Sequence, residues 1–128
     1  MNCPDCGAET VAFTVPAEYR EYTETESTAA LCTHCLSLNP APESDPNPDF
    51  AAVSDAFPTC EAAIPMALVV GLLDSLALHR AAVEKLLARV EQAGTDPLLV
   101  LDRLAADPEL APKTNLATRR RQVEQFRR

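Results

Sequence analysis

Two cysteine pairs carry the chemistry that this chain can do: Cys3-Pro4-Asp5-Cys6-Gly7 and Cys32-Thr33-His34-Cys35, with 25 residues between Cys6 and Cys32. In a C-x2-C turn both thiolates can face one ion. Two such turns place four sulfurs at the corners of a tetrahedron, the closed geometry of structural zinc. Pro4 restricts the first turn, and Gly7 can adopt the positive φ that lets the following amides face the sulfurs. Cys3, Cys6, Cys32 and Cys35 are therefore the expected ligands of one structural Zn2+. Iron in a rubredoxin-like turn is the rival, since that family also uses Cys-Pro-x-Cys-Gly. Against it, Leu36 stands where the second turn would carry glycine, and the chain has no Trp. Redox thiols come third, because neither pair opens a helix after a strand. Disulfides within a C-x2-C would be strained.

Other residues invite a functional story and have a plainer one. His34 sits between ligands of the second pair, but four cysteines already fill a tetrahedron, so it is expected to face solvent. His79 falls in an apolar helical stripe with no acidic or cysteine neighbour at i±3 or i±4, and is expected to be packed and hydrogen-bonded. Cys60 has no sequence partner and is expected to be buried and inert. Arg119, Arg120, Arg121, Arg127 and Arg128 form the one basic concentration, which could meet phosphate or an acidic partner but reads first as a solvated helix end. No catalytic residues and no second cofactor emerge: there is no Ser/His/Asp cluster, carboxylate pair or phosphate loop, so a non-enzyme is expected.

The elements that must position the cysteines follow from pattern. Val11, Phe13 and Val15 alternate with Ala12 and Thr14 as a strand ending at Pro16, and a glutamate-rich polar loop, Ala17 to Ser27, offers Tyr19 and Tyr22 for packing. Thr28 to Leu31 would return to the second cysteine pair, and Leu36 and Leu38 would open a third short strand. Knuckle, strand, loop, strand, knuckle is the order of a zinc ribbon, here residues 1–39. Four prolines within Pro40 to Pro48 predict an extended linker, 40–48. From 49 to 128 the period becomes helical. A short helix is expected near Phe50, Val53 and Phe57. A single long helix is expected from Ile64 to Ala93, capped by Gly94. A third would start at Asp96-Pro97, and a last one would be capped by Thr114 or Asn115. The fold class is thus α+β: a ribbon of two or three antiparallel strands followed by an all-α segment of three or four helices. A helix near 30 residues would be about 45 Å long. Its stripe, Leu68 to Val90, should be partly uncovered in a monomer, which predicts a homodimer across the long helices.

Charge is uneven. Residues 1–50 carry nine acidic side chains against Arg20, while residues 51–128 carry ten of each sign, so the net charge of −8 lies in the cysteine-bearing half. Scarce lysine (two) and abundant alanine (21) complete a halophile's composition. Such a field does not attract phosphate, although at about 1 M salt the Debye length falls to about 3 Å and the argument weakens. The most apolar stretch, Ile64 to Leu78, is short for a bilayer and carries Asp74, so no membrane span is expected. With no leader pattern at the start, the cytoplasm is the expected compartment.

Taken with Ala63-Ile64-Pro65-Met66-Ala67 and Asp96-Pro97-Leu98-Leu99-Val100-Leu101-Asp102-Arg103-Leu104, the two knuckles resemble the small CPxCG-type zinc-finger proteins of haloarchaea, an uncharacterised family with a leucine-rich helical C-terminal part. The resemblance implies a zinc-binding protein and leaves its task open. The residues themselves favour an adaptor or regulatory protein that acts through an unidentified protein partner. The alternative is a nucleic-acid-binding zinc ribbon.

Overall fold

The computed structural model describes residues 2–22 and 27–127. Strands β1 (Thr10–Thr14), β2 (Thr28–Cys32) and β3 (Leu38–Pro40) form one antiparallel sheet in the order β1-β2-β3. Its register pairs Val11 with Leu31 and Ala30 with Asn39. The third strand begins two residues later than the sequence pattern predicts, because Leu36 is spent in closing the second knuckle with φ of 61°. Part of the expected loop, Ala17–Tyr22, is a 3-10 helix whose Tyr19 is buried. The rest of that loop, 23–26, lies outside the described residues.

The helices are α1 (Ala63–Leu72), α2 (Leu76–Gln92), α3 (Pro97–Ala106) and α4 (Leu116–Phe126). Caps explain their ends. Asp96 accepts from the amides of Leu98 and Leu99 with Pro97 in the first turn, and Asn115 accepts from Thr118. Gly94, at φ of 89°, closes α2. Near Asp49 only a three-residue 3-10 turn forms, Phe50–Ala52, in place of the expected short helix.

The single long helix is a correction. A 3-10 turn, Leu73–Ser75, separates α1 from α2, Ser75 has φ/ψ of −128°/49°, and His79 is again non-helical at −119°/20°. Asp74 and Ser75 are weak helix formers, and no proline advertises the break. The two helices pack on one another. The apolar run from Ala63 to Gln92 is long and apolar enough to cross a membrane by length and composition. Its stripe is instead folded inward: Leu68, Val69, Leu73, Val83, Leu86, Leu87 and Val90 are fully buried. The uncovered seam on which the homodimer argument rested is therefore internal, with Leu76 itself 6% exposed.

Packing also crosses the expected boundaries at 39 and 49. One continuous core joins Val11, Phe13 and Leu31 of the sheet to Met66, Leu87 and Leu101 of the helices. Phe13 and Phe50 lie 5.4 Å apart between centroids, and Phe50 stacks on Phe57 at 5.6 Å. The proline-rich stretch is tied down as well. Ala41 donates to the Thr28 carbonyl, and Asp45 bonds both the N–H and the C=O of Ala12, covering the outer edge of β1.

Candidate metal centre

Each knuckle is a tight turn preceding or following a strand. The first is closed by Gly7 N–H to the Cys3 carbonyl (2.9 Å) and Cys3 N–H to the Ala8 carbonyl (2.7 Å). The second ends β2 and is closed by Cys32 N–H to the Ser37 carbonyl (2.9 Å). Because Thr10 pairs with Cys32 in the sheet register, β1 and β2 carry the two turns to the same end of the sheet. All four predicted ligands meet there. The Sγ atoms of Cys3, Cys6, Cys32 and Cys35 lie within 4.8 Å of one another.

Two close approaches run between knuckles, Cys6 to Cys32 at 3.4 Å and Cys3 to Cys35 at 3.7 Å, and all five cysteines of the chain are free thiols. Four sulfurs at about 2.3 Å from a tetrahedral zinc stand about 3.8 Å from each other, so this spacing fits such an ion. Backbone amides support the sulfurs: Asp5 donates to Cys3 Sγ (3.4 Å), and His34 and Cys35 both donate to Cys32 Sγ (3.3 Å each). The Ser37 hydroxyl lies 3.3 Å from Cys3 Sγ and 3.2 Å from Cys35 Sγ. Burial alone pushes the Cys3 thiol up. The Ser37 hydroxyl and the amides of Cys6 and Asp5 outweigh it and bring Cys3 down to about 6. At Cys32 burial outweighs the amides of Cys35 and His34, and the thiol is pushed up to about 12.

The helical half reaches into the centre, which the spacing of the cysteines does not reveal. The connection between α3 and α4 lies on the second knuckle: Ala111 N–H donates to the His34 carbonyl (2.9 Å) and Lys113 N–H to the Cys35 carbonyl (3.2 Å). The Lys113 ammonium meets Asp5 of the first knuckle at 3.2 Å, which raises the lysine's pKa, with the Cys35 sulfur adding a smaller push in the same direction. Thr114 donates to Asp74 (2.7 Å). A lysine beside four sulfurs is a fair sequence clue to such a contact, but Lys113 is 78 positions beyond Cys35 and nothing local points to it.

The other singled-out residues lie apart from the sulfurs. His34 is exposed, as expected. His79 is half-buried beside Tyr22 and Lys85, and its ring makes no hydrogen bond among the described residues, so the expected packed and bonded histidine is corrected. Cys60 is exposed in the turn before α1, not buried, because Ala62 and Ala63 take the buried positions there. Of the arginine run, Arg120 bridges Asp102 of α3 (3.0 Å) and Glu124 of α4, Arg127 pairs with Glu91, and Arg119 bonds Gln122 (2.9 Å). The family model that the chain matches, over residues 2–127, is described as a family of unknown function (DUF6276). No curated protein and no solved structure matches.

Proposed function

We propose that this chain, which belongs to that family of unknown function, binds one structural zinc through Cys3, Cys6, Cys32 and Cys35 and serves as a non-enzymatic adaptor for a protein partner. The observation that carries the reading is the closed donor set. Four sulfurs complete a tetrahedron, so no position remains for a substrate or an activated water. The centre then holds a shape and does not catalyse. The surface offers a fitting contact. Arg80 lies over the Phe126 ring at 4.7 Å, and with Arg119 it lines a groove of about 380 Å³ floored by Leu76 and Ala77. Arg80 and Arg119 form no ion pair among the described residues, whereas Arg89, Lys113, Arg120 and Arg127 do. Gln122, Gln125 and the Phe126 ring complete the lining. An acidic partner with an apolar anchor suits such a groove.

The same arginines favour a second reading, contact with nucleic-acid phosphate. Co-purification at the salt of the native host, followed by a salt series, separates the two. Phosphate binding weakens steeply as salt rises, while apolar docking persists. A bound protein that survives high salt and is lost in an Arg80→Glu, Ala77→Glu variant supports the adaptor. Nucleic acid released by moderate salt supports the alternative. The cytoplasm and a high-salt cell are the setting proposed for either, from the composition and the reduced cysteines.

A further inference from the structure

We infer that the connection between α3 and α4 is a latch set by the metal, docked on the second knuckle while the four sulfurs are held together and released when the metal is withdrawn, with α1 and α2 staying folded. The inference rests on the zinc reading above.

Both backbone acceptors of the latch, the carbonyls of His34 and Cys35, belong to the Cys32–Cys35 turn itself. Their directions are set by how that turn is closed. Without a cation no ion ties the four sulfurs of the two turns to one another, and Leu36 stays at φ of 61°, a strain that only its burial then offsets. The latch also touches the first knuckle through Lys113 and Asp5, so it reads the joint position of both turns. Its ends are fixed elsewhere. Asp107 accepts from the buried Ser54 hydroxyl (2.9 Å) at the end of α3, and Asn115 caps α4. Pro108 and Pro112 stiffen the stretch between these anchors, so it moves as a piece. Pro112, Lys113 and Thr114 of the latch form one wall of a cleft of about 170 Å³, with Leu36, Val70 and Asp74 opposite, which lifting the latch would widen. Far from the sulfurs, Val83, Leu86, Leu87 and Val90 are fully buried between α2 and its neighbours, which is why this part holds.

Coupling of this kind is reciprocal. If metal protects the latch, the latch must tighten metal by the same factor, typically 5- to 150-fold. The test is amide hydrogen exchange on the full chain, zinc-loaded and then chelated. The Ala111 and Lys113 amides are expected to exchange about 30-fold faster after chelation, and those of Val83 and Leu87 less than about threefold faster. Unchanged exchange at Ala111 and Lys113 in a sample that has lost its zinc would overturn the latch. So would a uniform acceleration that includes Val83 and Leu87, because the metal would then be a staple for the whole fold. In the second arm, a Lys113→Ala, Thr114→Val variant is expected to bind zinc about fivefold more weakly in competition with a chromogenic chelator. Equal affinity would count against reciprocity. Metal analysis of the starting sample keeps the two readings apart, since a folded chain without metal fails the zinc assignment before the latch is examined.

Discussion

The two knuckles reach the same geometry by different means. In both, the residue after the second cysteine has positive φ: 79° at Gly7 and 61° at Leu36. At Gly7 the conformation is intrinsic. Glycine adopts it without strain, and an added Cβ would meet nothing within 4 Å. At Leu36 it is imposed. The side chain is 4% exposed within the main core, and its burial offsets a backbone cost of about 1–2 kcal/mol. The first knuckle is more open, with Pro4, Asp5, Cys6 and Gly7 exposed and only Cys3 buried, while Cys32, Cys35 and Leu36 of the second are all buried and the α3–α4 connection bonds its backbone. A local turn can be written in its own residues or enforced by the fold around it.

The largest effect should follow from removing a ligand on the buried side. Cys32→Ser or Cys35→Ser is expected to abolish metal binding and cost about 4 kcal/mol or more of stability, while Cys6→Ser, at the exposed side, retains a weakened site. Metal content and chemical denaturation of the three variants measure this. An equal loss in all three would erase the distinction between the knuckles.

Next in size is the pair Leu36→Ala and Gly7→Ala. The first removes a buried side chain and keeps the strained φ, for an expected loss of about 2–4 kcal/mol. The second adds only backbone strain, about 1–2 kcal/mol. Leu36→Gly should fall between Leu36→Ala and wild type, since it relieves the strain while losing the packing. If Gly7→Ala proved the more damaging, the core would not be what holds the second turn. Smallest of all, His34→Ala is expected to leave zinc affinity and melting temperature unchanged, because the ring is exposed and the backbone of His34 does the bonding.

This contrast also marks what could be read from the chain. The C-x2-C spacing identified all four converging cysteines, since the chemistry needs only those residue types at that spacing. Alternation located β1, the approach to the second cysteine pair located β2, and the Asp96-Pro97 and Asn115 caps located α3 and α4, all local signals. Glycine at position 7 announced its turn; leucine at position 36 hid an equal one, because its φ is enforced by distant packing. For the same reason the break at Leu73–Ser75 was not legible. A continuous apolar period states which face is buried and not that the helix folds back to bury it against itself. The contact of Ala111 and Lys113 with the second knuckle joins positions nearly 80 apart.

The central claim is that four cysteines from two unlike turns hold one zinc and nothing else does. Metal analysis with X-ray absorption at the metal edge, on protein purified without added metal, tests it directly. The account predicts one zinc per chain with four sulfur neighbours at about 2.3 Å. A folded chain with no metal, an iron centre, or a zinc shell containing nitrogen or oxygen would contradict it.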